Sequence, residues 1–116
     1  MLSRPLLISM LLAIATAAAA PAALAFDRPF PTYAKRGTMF PDLYPKINID
    51  GRPRFMTAGA RIYNADNMIE MPASLPSRNV VVNYTEDDSH QIERVWILTD
   101  EEARQSTRQQ NINQPR

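Results

Sequence analysis

The sequence predicts a mainly β protein: a small antiparallel meander or open barrel of about six short strands, with a Pro/aromatic N-terminal arm and a short C-terminal helix. Three observations lead there. Residues 46–49 (KINI) alternate polar and apolar and run into Asp50-Gly51, the dipeptide that suits a type I′ hairpin turn. Residues 79–84 (NVVVNY) and 92–99 (IERVWILT) are rich in β-branched and aromatic side chains. Thr99 then stands three residues before Glu102, the spacing of a capping box that opens a helix.

Residues 1–25 read as a secretory signal peptide. Arg4 supplies a short positive start, and an apolar run of about 15 residues follows, short of the roughly 20 that span a bilayer. Pro21 ends that run, and Ala23-Leu24-Ala25 places small residues where signal peptidase cuts, between Ala25 and Phe26. No cysteine follows for lipidation and no arginine pair marks the twin-arginine route, so export through the general secretory route is expected. The expected location is periplasmic or secreted, with no membrane span after cleavage. A mature chain without cysteine suits an oxidising compartment.

Residues 26–45 are expected to form an irregular arm. Pro29, Pro31, Pro41 and Pro45 each lack an N–H and restrain their neighbours. Five aromatics are interspersed (Phe26, Phe30, Tyr33, Phe40 and Tyr44), too many for a solvated linker. The arm therefore either lies across the domain and buries its rings or docks on a partner.

A small β domain with a short terminal helix is expected over residues 46–104. Strands at 46–49 and 52–55 flank the Asp50-Gly51 turn, with Pro53 marking an edge or a bulge. Ala58-Gly59 is a break. Strands at 61–63 and 68–71 flank the turn formers Asn64-Ala65-Asp66-Asn67. The segment 79–84 follows, then a polar loop at 85–91, then 92–99. Four consecutive apolar residues, 95–98, mark this last strand as central, covered on both faces. After the capping box Ala103 is the only apolar residue in the helix, so nothing there forms a stripe to dock. Residues 105–116 are Gln, Asn, Ser, Thr and Arg with little else, and read as a disordered polar tail.

Composition excludes several function classes. The 116 residues include no cysteine, so a disulfide framework, a thiolate metal site and a cysteine nucleophile are all absent. Thirteen basic and twelve acidic residues, with Arg4 in the expected signal peptide, leave the remainder formally neutral. That balance argues against a nucleic-acid binder. Some 90 residues do not hold a two-domain enzyme.

The candidate chemical groups are few. His90 is the only histidine and lies beside Ser89 in a polar loop. Sequence neighbours do not aim at each other as nucleophile and base, so no catalytic residue is assigned and the chain is expected not to be an enzyme. Glu86, Asp87 and Asp88 form an acidic cluster without the spacing of an EF-hand loop. Met39, Met56, Met68 and Met71 offer soft ligands for copper(I), but not at the tight repeat such sites use. No cofactor and no metal ligand is assigned. Asn83-Tyr84-Thr85 matches a glycosylation sequon by coincidence. Six basic residues fall between 35 and 61: Lys35, Arg36, Lys46, Arg52, Arg54 and Arg61. Arg52, Arg54 and Arg61 on one sheet face would meet an anionic envelope partner, with Tyr63 adding stacking. Phe30 and Tyr33 are the partner-contact candidates of the arm.

Several segments resemble an uncharacterised group of small exported, signal-peptide-bearing proteins of proteobacteria. They are Lys35-Arg36-Gly37-Thr38, Ile49-Asp50-Gly51, Ala58-Gly59-Ala60-Arg61-Ile62 and, above all, Arg94-Val95-Trp96-Ile97-Leu98-Thr99 with Asp100-Glu101-Glu102. The resemblance implies an envelope location and supplies no activity or catalytic residue. The expected function is that of an exported, non-enzymatic β module that binds another cell-envelope component, by strand addition at an edge or through the aromatic arm. The alternatives are a metal-binding periplasmic accessory protein, for calcium or copper, and an anionic-ligand-binding β-barrel module.

Overall fold

The computed structural model describes residues 28–116; the expected signal peptide and the Ala25/Phe26 cleavage point lie outside them. Six strands are present: β1 (Lys35–Pro41), β2 (Lys46–Ile49), β3 (Arg52–Tyr63), β4 (Ile69–Glu70), β5 (Val80–Glu86) and β6 (Ile92–Ile97). A single turn of 3-10 helix, Pro72–Ser74, separates β4 from β5, and helix α1 (Asp100–Arg104) follows β6.

The protein is mainly β, and its five longer strands close into a barrel. Strands β1, β2 and β3 are joined by tight connections, and β5 returns to lie beside β1. The order β5-β1-β2-β3 is that of a Greek key. Strand β6 fills the remaining gap, antiparallel to β5 and parallel to β3. A pure meander has neither the β5–β1 return nor a parallel pair, so of the two expected forms the barrel is the one adopted. Closure leaves β4 as a two-residue addition to β3.

The local chemistry follows the sequence at the turns. Asp50 (φ 54°) and Gly51 (φ 79°) both take the left-handed conformation that a type I′ turn needs. The Asp50 carboxylate also accepts the Thr38 N–H at 2.8 Å, tying the β2–β3 turn to β1. At the second turn, Asn64 Oδ1 accepts the N–H groups of Asp66 (3.0 Å) and Met68 (2.9 Å). Gly37 is the one close approach inside the barrel: a Cβ there would sit 2.9 Å from Ile49 Cγ2 and 3.1 Å from Tyr84 Cε1. Only a residue without a side chain lets β1 pass between β2 and β5 at that point.

The barrel interior holds Met39, Ile47, Ile49, Met56, Ile62, Val80, Val82, Tyr84, Ile92 and Val95. Neighbouring residues on a strand point to opposite faces, so Trp96, next to Val95, lies on the outside. It is nevertheless buried, because Phe30 meets it edge-on and Tyr63 stacks on it, each with ring centroids 5.8 Å away. The arm therefore covers the barrel wall at β6. That explains why 95–98 is apolar on both faces.

Two segments differ from expectation. Residues 35–41, assigned to the irregular arm, are strand β1, so the β domain begins before residue 46. The prolines of the segment bracket this strand: Pro29 and Pro31 precede it and Pro41 ends it, leaving 35–40 free to donate N–H groups. The tail, 105–116, is a packed run of turns and not a disordered segment. Ile112 is 4% exposed, and the Asn113 and Gln114 N–H groups donate to the carbonyls of Ala34 (2.7 Å) and Thr32 (2.9 Å). Gln110 Oε1 accepts from Arg36 Nη2 (2.5 Å) and from Asn83 Nδ2 (2.8 Å). Part of the polar composition here serves these ties, while most of the remaining side chains are exposed.

Candidate functional site

The six sequence-predicted contact residues separate into four environments. Phe30 and Tyr63 are consumed by the packing around Trp96. Arg52 is exposed at the start of β3. Arg54 reaches across the end of the barrel to Glu86 (2.9 Å) and to the His90 carbonyl (2.9 Å). Arg61 follows an irregular stretch of β3 and, next to the buried Ile62, points outward. The three arginines are therefore not on one face. Arg61 and Tyr33 do come together, lining one cavity of about 370 Å³ with Arg94 and Arg116, two residues that were not among the contact candidates.

The acidic loop is occupied by the fold itself. Glu86 accepts from Lys35 (2.9 Å) and Arg54 (2.9 Å), and His90 Nδ1 lies 3.3 Å away. Burial pushes the Glu86 carboxyl up, and the hydrogen bond and charge of Lys35, the Arg54 guanidinium and His90 outweigh that and hold it below the usual carboxylate range. Asp87 Oδ1 accepts the N–H groups of Ser89 and Gln91, both at 2.9 Å, and so builds its own turn. Among the described residues no group of three His, Asp or Glu side chains is arranged to hold a metal ion. The methionines divide as well, with Met39 and Met56 buried and Met68 and Met71 exposed. Asn83 of the sequon is fully buried, out of reach of glycosylation.

The lowered Glu86 value carries a pH dependence. A carboxyl depressed in the folded state contributes stability that is complete above its unfolded value, about 4.3, and is lost as pH falls through the folded value. Thermal unfolding followed from pH 7 downward is expected to show a shallower acid limb in Glu86→Gln than in the parent chain. Parallel limbs would remove Glu86 from the acid response.

A second surface was not legible in the sequence. Strand β2 pairs with β3 as far as Phe55, and β4 pairs with it again from Ile62. Both lie on the edge of β3 opposite β6. Between them, among the described residues, no strand pairs with that edge. On the other side β3 bulges: it advances from Met56 to Arg61 while β6 advances only from Ile92 to Arg94. The expected break at Ala58-Gly59 is this bulge, inside one continuous strand. The end of this open stretch, Ala60 and Arg61, lines a groove of about 390 Å³ together with Met56 and Ile62. Its walls include Tyr44, Ile69 and Met71, which are 56%, 62% and 66% exposed. Exposed apolar side chains clustered in a groove mark an interaction surface more often than scattered ones do.

Among the described residues no helix is long and apolar enough to cross a membrane. No protein-family model, no curated protein and no solved structure matches the chain.

Proposed function

We propose that this chain is an exported, non-enzymatic β-barrel module that binds another component of the cell envelope, working in the periplasm or outside the cell. The signal-peptide pattern of residues 1–25 and the cysteine-free remainder support export. A single histidine held in a loop beside Glu86 and the lack of any cysteine support a role without catalysis.

The observation that carries the binding mode is the unpaired stretch of the β3 edge between β2 and β4, opening onto the Tyr44–Ile69–Met71 groove. An unpaired strand edge offers main-chain donors and acceptors, and apolar pockets beside it accept alternate side chains of an added strand. The occupant is an extended apolar segment of an envelope protein. Of the arm's rings, Phe30 already lies on Trp96 and Tyr33 under Arg116, while Tyr44 lines the groove.

A photo-cross-linking residue placed at Ile69 or Met71 tests this in cells. A discrete protein adduct, identified by mass spectrometry, is expected from both positions and not from the loop position Asp88. Met71→Asp with the probe at Ile69 should remove it. Adducts that are lipid alone, or that appear equally from Asp88, would reject the reading.

A further inference from the structure

We infer that Arg61 and Arg94 form a binding site for a phosphate monoester group on the outer wall of the barrel. The two residues are direct partners in the parallel β3–β6 pair, so their side chains leave the same face side by side. Like charges set directly opposite on a sheet destabilise it. Neither arginine forms an ion pair among the described residues, although the fold pairs Arg28, Lys35, Arg54 and Arg116 with carboxylates. The two exposed guanidiniums at adjacent positions make a local positive patch that an anion would neutralise.

The surroundings complete an anion cradle. Arg61 and Arg94 line the cavity of about 370 Å³ together with Arg116, Tyr33, Thr57 and Glu93. Arg116 lies over the Tyr33 ring, 4.5 Å from its centroid, and donates to the Glu86 carbonyl at 2.8 Å, which fixes its guanidinium at the rim. Glu93 is the one carboxylate of the lining and approaches Arg116 only to 3.7 Å. Three guanidinium side chains against one carboxylate side chain make the lining locally basic, which suits a dianionic group such as a phosphate monoester. Guanidiniums bind phosphoryl oxygens in a planar, two-pronged geometry, and Tyr33 and Thr57, which carry hydroxyls, line the same cavity. A Cβ on Gly59 would meet nothing within 4 Å, so the cavity is open on that side to the rest of the ligand. The same monoester chemistry occurs on soluble metabolites and on lipid headgroups.

Calorimetric titration of the full chain with inorganic phosphate and with glycerol phosphate, and sedimentation with vesicles of phosphatidylcholine with and without phosphatidic acid, test the site. Saturable binding is expected, weakened about tenfold by Arg61→Gln or Arg94→Gln and unchanged by Arg52→Gln. It should weaken with added salt. Binding of the soluble phosphates alone assigns a soluble ligand, and binding confined to phosphatidic acid vesicles assigns a headgroup. The thermal midpoints of Arg61→Gln and Arg94→Gln should not fall, since each removes a like-charge contact. The proposal is overturned by the absence of saturable binding to every probe, by loss that is equal in Arg52→Gln, or by arginine variants that bind as the parent does. Arg61 also lines the groove and Arg94 does not, so Arg94→Gln reads the anion site apart from the groove, whose probes sit at Ile69 and Met71.

Discussion

Glu102→Ala is expected to lower the unfolding free energy by about 3–5 kcal/mol, a large part of the 5–15 kcal/mol typical of a domain. The reason is the guanidinium it would strand. Arg28 is 7% exposed, and each of its nitrogens has a partner: Nε donates to Glu102 Oε2 (3.0 Å), Nη1 to the Asn64 carbonyl (2.8 Å), and Nη2 to Glu102 Oε1 (2.6 Å) and the Ile97 carbonyl (2.8 Å). Removing the carboxylate leaves a buried charge with neutral acceptors only. The same carboxylate accepts the Thr99 N–H at 2.9 Å and so closes the capping box of α1, adding to the loss. Burial pushes the Glu102 carboxyl up, while Arg28 and then Thr99 hold it below the usual range, so its stabilisation too is complete above about pH 4.3 and fades as pH falls. Urea unfolding at pH 7 measures the effect, with the exposed Glu101→Ala as control, expected within about 0.5 kcal/mol of the parent. The double variant Arg28→Met/Glu102→Leu should recover most of the stability, since a buried ion pair is replaceable by packed apolar groups. A Glu102→Ala loss below about 1 kcal/mol would mean that Arg28 finds water when its partner goes.

Trp96→Ala is expected to cost about 3–5 kcal/mol and to release the arm from the barrel wall. Trp96 is the one large side chain that Phe30 and Tyr63 share, so its removal opens a cavity between the arm and β6. The tail is bonded to the arm at Ala34 and Thr32, and it should loosen with it. Hydrogen exchange distinguishes this from general destabilisation. The Asn113 and Gln114 amides should lose protection before those of β5 and β6. Loss in step with the whole barrel would show that the arm and tail are one cooperative unit with it.

Both predictions concern a layer that the sequence barely announces. The capping box at Thr99 and Glu102 was legible, because it needs only a spacing of three. That Glu102 also binds Arg28, 74 residues away, was not, because no local pattern encodes a contact that distant. The short helix has no apolar stripe, and it docks through one carboxylate instead. The tail escaped for a related reason: the Gln110 side chain and the Gln105 carbonyl accept from Arg36 and Asn83, and polar composition alone does not distinguish that from solvation. Of the six contact candidates, Arg61 and Tyr33 reach a common cavity, and the basic cluster at 35–61 dissolves because Lys35 and Arg54 face Glu86.

The mainly β class, the Asp50-Gly51 and Asn64–Asn67 turns, the doubly covered last strand and the capped helix are properties of short windows. Propensity, alternation and turn chemistry act within a few residues, so one sequence suffices to read them. Which strands are neighbours is decided by long-range closure. The parallel β3–β6 pair, the open stretch of β3 and the meeting of Arg61 with Arg94 all follow from bringing residue 61 beside residue 94. A contact across that separation is chosen by how the whole barrel buries its apolar faces and satisfies its edges. Both surfaces to which function is assigned here arise from that choice.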